Sequence, residues 1–471
     1  MSCRAIAASL AVLALAACAA GREAAPPAPA PAVRSSPLAQ VEIAGETLRS
    51  GMRVVYARTP PVPGRPARVF VASYVLAGVF EEERQGWAHL MEHVAANNRA
   101  AIANPHPTRE GQIVNGNALA RPYYTNFLLI GAPDALPAMI HGRMARAGRF
   151  ADDAAVFANE VGRVVTELRR DRSSLYPAYS ALVSAARGRS PRLEDEVASV
   201  AAARQETLAE AMAPLYRPER TVLAISGDID VAAARAMVRD AEARFAWPAA
   251  APVPIRAGAP GFRFGGRALV EGQNTAAQTV AGLAWPRPAL GARDLLPFLV
   301  ADQLLLGGRT SGADPKRSDA SPLGAALGAG IGASNLWDRQ DGWAAPPMVD
   351  TGPGLYTVLF NSSRSLTPEE TAAAARAALR RIEAAGLGDG AIETAKAQLA
   401  SYYETWLLEP NARVIADHMV ALAATGRDPA AVLGIPDAIR AVRPAAVRAA
   451  FRRHLLNVDP IAVVLPPAPP A

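Results

Sequence analysis

The stretch Glu81-Glu82-Glu83-Arg84-Gln85-Gly86-Trp87-Ala88-His89-Leu90-Met91-Glu92-His93 ends in the pattern H-x-x-E-H. On a helix, His89 and His93 stand four residues apart on one face, so both imidazoles can reach a single ion, and Glu92 lies on the adjoining edge. A zinc ion held by two neutral imidazoles wants a third ligand and an open position for a water, whose pKa it lowers towards neutrality. Glu92 is then placed to take that water's proton as general base. A pair of unrelated surface histidines is the alternative reading of the same five residues. The third ligand should be a carboxylate from elsewhere, and the segment Phe157-Ala158-Asn159-Glu160-Val161-Gly162-Arg163-Val164-Val165-Thr166-Glu167 offers two. Glu160 and Glu167 are two helical turns apart and share a face. Taken alone, they read more readily as a solvated charged stripe paired with Arg163, Arg169 and Arg170, and their weight comes from the company of the histidines.

Around this core, strands alternate with long helices. The first half predicts strands at 53–56, 67–76, 123–130 and 221–226, with helices at 87–94, 134–148, 153–172 and 198–212. The Pro/Ala-rich break Trp247-Pro248-Ala249-Ala250-Ala251-Pro252-Val253-Pro254 then reads as a linker. After it the order recurs, with strands at 267–271, 278–285, 355–361 and 460–465 and helices at 292–306, 367–385 and 389–408. The expected fold class is α+β: two related α/β-sandwich domains, each a mostly antiparallel sheet with helices on one face. The boundaries are 41–247 for the first domain, 248–257 for the linker and 258–467 for the second. The glycine-rich run Gly324 to Gly332 lacks G-K-S/T and does not lead from a clear strand into a helix, so it does not read as a phosphate cradle. His106, His141, His418 and His454 stand alone in the pattern and read as surface or core residues, and Trp87 as core.

The motif and its spacing resemble the insulinase/pitrilysin family of zinc peptidases, the inverzincins, especially the short-chain branch that includes the mitochondrial processing peptidases and their bacterial relatives. Glu167 lies 74 residues beyond His93, and Glu160 fills the family's earlier glutamate position. The resemblance implies that His89, His93 and Glu167 hold one zinc ion, that Glu92 is the general base and that Glu160 orients the site. It also implies a substrate-pairing edge strand, which Asn117-Ala118 with Tyr123-Tyr124 resembles, and half of a clam-shell that closes by pairing with a second subunit, as a homodimer or as a heterodimer with a related chain. Family members that work alone carry an arginine and a tyrosine seven residues apart in the second domain. Arg317 fits the arginine, but no tyrosine stands near 324 or 325.

Arg4 is the only charge before an apolar run from Ala5 to Ala17, too short to span a membrane and consistent with a secretory signal. Leu15-Ala16-Ala17-Cys18 resembles a bacterial lipobox, which implies a signal peptide over 1–17 and lipidation of Cys18; cleavage of an ordinary signal near Ala17 or Ala20 is the alternative. Residues 18–40, rich in Ala and Pro, read as an extended tether. The expected location is the bacterial cell envelope, lipid-anchored and facing the periplasm, at the outer membrane because Ala19 rather than an aspartate follows Cys18. The formal charge of +6 over 471 residues, without a dense Lys/Arg run, argues against nucleic acid as partner. Two cysteines exclude a disulfide scaffold or a four-cysteine zinc site.

The expected function is therefore a zinc metalloendopeptidase acting on unfolded peptides or short polypeptides. Its competitor is a membrane-tethered, non-catalytic binding or assembly subunit of a peptidase-like heterodimer. The retained Glu92 argues against that, because a purely structural zinc site has no need of a base; the incomplete arginine/tyrosine pair argues for it.

Overall fold

Each half of the chain builds one sheet in the computed structural model, which describes residues 37–97, 104–147, 154–170, 175–253, 261–307, 320–338 and 352–468. The strands are β1 (Glu42–Thr47), β2 (Arg53–Arg58), β3 (Val69–Val75), β4 (Ile113–Ala120), β5 (Thr125–Gly131) and β6 (Thr221–Gly227), followed by β7 (Arg267–Leu269), β8 (Thr279–Arg287), β9 (Ala333–Asp338), β10 (Gly354–Ser362) and β11 (Ile461–Leu465). The first half carries the helices α1 (Trp87–Asn97), α2 (Leu136–Met144), α3 (Ala154–Arg170), α4 (Tyr176–Ala186), α5 (Leu193–Ala201), α6 (Gln205–Met212) and α7 (Val231–Phe245). The second carries α8 (Leu295–Asp302), α9 (Pro322–Ile331), α10 (Pro368–Ala385), α11 (Asp389–Trp406), α12 (Arg413–Ala424), α13 (Ile435–Arg440) and α14 (Pro444–Phe451). No helix among the described residues is long and apolar enough to cross a membrane.

The first sheet runs β1-β2-β6-β3-β5-β4, antiparallel except where β2 meets β6. The second runs β7-β11-β8-β10-β9, antiparallel except where β7 meets β11. Both are the mostly antiparallel sheets that the α+β expectation called for. Side chains alternate across β3: Val69, Val71 and Val75 face the helices of their own half, while Phe70, Ala72 and Tyr74 face the other way.

That other face is covered by an exchange. Helix α12, from the second half, lies on β2, β3 and β6, and α4, from the first half, lies on β8, β10 and β11. Every residue of α12 from Val414 to Ala424 is buried, as a helix packed on more than one side requires. Tyr74 donates to Asp417 across this contact, and the Ser226 hydroxyl donates to the Ala412 carbonyl at 2.7 Å. On the other sheet, Leu182 of α4 is fully buried among Val280, Ala284, Leu359 and Val463, and packs over Gly282. Leu182→Ala is therefore expected to cost about 2–5 kcal/mol. Because the residue belongs to one half and its pocket to the other, urea unfolding followed by tryptophan fluorescence and by circular dichroism should show one shifted transition rather than the loss of one half.

Several local expectations are revised. The helix expected over 198–212 breaks at 202–204 into α5 and α6, and α4 and α7 add helices that the pattern did not mark. The Gly324–Gly332 run is itself helical, in α9: the Ser321 hydroxyl accepts the Gly324 N–H at 3.0 Å at its start, and Gly332 ends it in the left-handed conformation at φ +65. Pro37–Gln40, at the end of the tether segment, forms a 3-10 turn with Leu38 buried. Of the segment read as linker, Ala250 N–H donates to the Arg49 carbonyl and Val253 N–H to the Glu219 carbonyl, while 254–257 lie outside the described residues.

Candidate metal centre

Two helices and one strand converge at the site. Helix α1 presents His89, Glu92 and His93, and α3 packs across it with Glu160 and Glu167. The apolar stripe of α3 is Phe157, Val164 and Leu168, and Glu160 occupies a position of that stripe with 1% of its surface exposed. A carboxylate there must have a partner. It has one in His93, whose Nδ1 lies 3.1 Å from Glu160 Oε2. With an N–H on Nδ1 donated to that carboxylate, Nε2 is the nitrogen left to meet an ion.

That Nε2 faces Glu167 Oε2 at 3.4 Å, and His89 Nε2 faces the same oxygen at 4.0 Å. Burial pushes His89 down to about 4, so it is neutral. Burial also works against protonating His93, but the hydrogen bonds to Glu167 and Glu160 and the charges of Glu92 and Glu167 outweigh it and raise its pKa. The hydrogen bond to His93 holds Glu167 below the usual carboxylate range. Without an ion, a proton on His93 Nε2 is shared with Glu167; a cation in that proton's place would meet the neutral His89, His93 Nε2 and the Glu167 carboxylate together. The two nitrogens and one oxygen suit zinc.

Glu92 also lies within 4.8 Å of both imidazoles, so a second carboxylate stands beside the histidine pair. Glu167 is the one that the Nε2 atoms face. Glu92 instead accepts the backbone N–H of Ala120, the last residue of β4, and burial pushes it up to about 7. Asn117 and Ala118 lie on β4 opposite Leu128 and Phe127 of β5. β4 is the sheet's edge, without a second neighbouring strand among the described residues, and its Ile113 and Val114 are exposed. Tyr123 and Tyr124 are not on this strand; they are buried in the turn before β5. Arg317 and Cys18 lie outside the described residues.

Sequence reasoning missed how α1 is anchored. Glu82 is buried, and its Oε2 accepts the Ala88 N–H at 3.0 Å, in the first turn of α1. Its other oxygen meets Arg187 at 3.4 Å and Arg189 at 3.0 Å, both just beyond α4. Arg187 also donates to the Val79 carbonyl at 2.7 Å. Gly86, immediately before α1, sits at φ +84, and a Cβ there would lie 2.7 Å from the Val200 side chain. The triple-glutamate run held the signal for Glu82: a carboxylate placed to cap a helix that starts a few residues on.

Glu160→Gln should keep the fold, because an amide fills the same space, but it no longer holds His93 with a charge-assisted bond. The expected result is a metal affinity about 10–100-fold weaker, read by competition with a chromogenic chelator.

The comparisons with known proteins agree with this architecture. Residues 203–399 match the family model for the peptidase M16 inactive domain. That stretch runs from the end of the first half into α11 and contains none of the site residues on α1 and α3. A protease from Helicobacter pylori superposes with a TM-score of 0.71 at 13% identity, over 90% of this chain and 99% of that one. An M16-like peptidase from Alicyclobacillus acidocaldarius gives 0.66 at 18%, over 91% and 99%. A peptidase M16 inactive domain from Pseudomonas fluorescens gives 0.64 at 16%, over 91% and 98%. No curated protein matches the chain. At these identities the structures share a fold with this chain, and the matched segment is similar to the peptidase M16 inactive domain.

Proposed function

We propose that the chain is a zinc-dependent metalloendopeptidase that cuts unfolded peptides or short polypeptides laid along β4. The observation that carries this reading is the convergence of His89 Nε2, His93 Nε2 and Glu167 Oε2, with Glu92 beside them tied by Ala120 to an edge strand. Held by His89, His93 and Glu167, zinc supplies Lewis-acid polarisation of the scissile carbonyl and an acidified water. Glu92 accepts the proton of the attacking water at a carboxylate oxygen and returns it to the leaving amine nitrogen. Glu160 keeps His93 in the tautomer that presents Nε2. The outer edge of β4 offers main-chain N–H and C=O groups, which bind an extended peptide with little regard to its side chains. The protease and peptidase among the structures of shared fold support the same reaction class.

The same proposal has the chain lipidated at Cys18, facing the periplasm at the outer membrane of a bacterial envelope, and working as a homodimer or with a related subunit. Zinc content and cleavage of an unfolded peptide library, with the chain alone and mixed with any co-purifying homologue, test it. One zinc per chain with chelator-sensitive cleavage is the expected result, and zinc without cleavage in either mixture would leave a binding subunit instead. A native mass equal to one chain would overturn the paired form.

A further inference from the structure

A groove of about 500 Å³ runs from the metal centre along α3, and His93 and Glu167 belong to its lining. Its floor is small: a Cβ at Gly162 would meet nothing within 4 Å, and the Thr166 hydroxyl is turned down onto the Gly162 carbonyl at 2.8 Å. Its cations are Arg163 and Arg170, two helical turns apart on the same helix. Among the described residues Arg163 has only a long contact, 3.4 Å, to Glu160, a carboxylate already engaged by His93. Arg170 makes no ion pair or hydrogen bond among the described residues, and its charge is felt at Glu167. The one carboxylate of the lining is thus the third candidate ligand, and what it leaves to an incoming chain is a positive groove.

Resting on the peptidase reading above, we infer that this groove receives a carboxylate of the bound peptide, held by Arg170 with Arg163 beside it, so that acidic peptides are the preferred substrates. A guanidinium matches a carboxylate in shape and can bind it through two parallel N–H donors. The open floor at Ala158 and Gly162 leaves room for such a side chain to lie along α3. The carboxylate comes either from an Asp or Glu side chain or from the free C-terminus of a short peptide, and the two are separable by experiment.

The test is fluorescence anisotropy of labelled, unstructured peptides on the full chain carrying Glu92→Gln, so that nothing is consumed. Peptides differ only by Glu against Gln at successive positions, each made with a C-terminal acid and with an amide. The expected result is about 3–10-fold tighter binding of the acidic member, an advantage that shrinks between low and high salt and disappears in Arg170→Gln. An advantage confined to the acid over the amide assigns the groove to the C-terminus; one confined to Glu over Gln assigns it to a side chain. Equal binding of all members, or a preference that survives Arg163→Gln with Arg170→Gln, overturns the inference. Both arginines are exposed, so these variants should fold, and circular dichroism checks that. Its failure is distinct from failure of the peptidase reading. Wild-type protein that cleaves neutral and acidic peptides alike retires the groove and keeps the enzyme, whereas protein that binds acidic peptides through the arginines but cleaves none keeps the groove and retires the enzyme.

Discussion

Glu92→Gln is expected to lower kcat by about 10²–10⁴-fold while KM and zinc content stay unchanged. The amide oxygen that the substitution introduces can still accept the Ala120 N–H, so the junction of α1 with β4 survives the change. What is lost is a group able to carry a proton. Glu167 is the carboxylate that faces both Nε2 atoms, so the metal should remain. Steady-state kinetics on one fluorogenic peptide, with zinc measured by mass spectrometry on the same sample, checks both halves of the statement. Undiminished cleavage would remove Glu92 from the reaction; loss of zinc together with activity would make it a ligand.

The heart of this site was legible because it is local. Two histidines four apart and a glutamate between them need only a helix to converge, and the helix over Trp87–Asn97 has no breaker within it. Glu160 and Glu167 could be read as one face, but only the fold distinguishes their depths. Glu160 is fully buried while Glu167 is 40% exposed on its side chain, which separates the residue that holds His93 from the one that faces both Nε2 atoms. The edge strand was harder to read. Ile113-Val114-Asn115-Gly116-Asn117-Ala118 has no period-two pattern, because most of β4 is exposed on both faces.

The exchange of α4 and α12 was illegible for a different reason. Hydrophobic spacing tells which face of a helix is buried, not which sheet it meets. The sequence Arg413 to Ala424 did carry a trace of it, being apolar nearly all round, the mark of a helix enclosed between layers. The consequence reaches the candidate metal centre. Arg187 and Arg189 follow α4, the helix packed on the second half's sheet, and they grip Glu82, which caps α1. The second half therefore bears on the geometry of α1 through a buried ion pair, whatever residues it brings to the substrate. Such a pair is costly to break on one side only, since the remaining charge is left buried.

The other large effect is expected from Glu167→Ala, and in metal binding rather than in the chemical step. Removing a partner that merely orients a ligand costs about 10–100-fold in affinity, so removing one of three ligands should cost about 10³-fold or more. The purified variant should lose its zinc on dialysis and all cleavage with it. Its fold should hold, because the side chain is partly exposed at the end of a groove and replaces no core contact; the stability change is expected within about 0.5 kcal/mol. The pairing of a near-normal unfolding curve with an empty site is what separates a ligand from a structural residue. If Glu167→Ala binds zinc as tightly as the wild type, the third ligand is another group. Glu92 then becomes the first candidate, because its carboxylate also lies within 4.8 Å of both imidazoles, and the chain would have to find its base elsewhere.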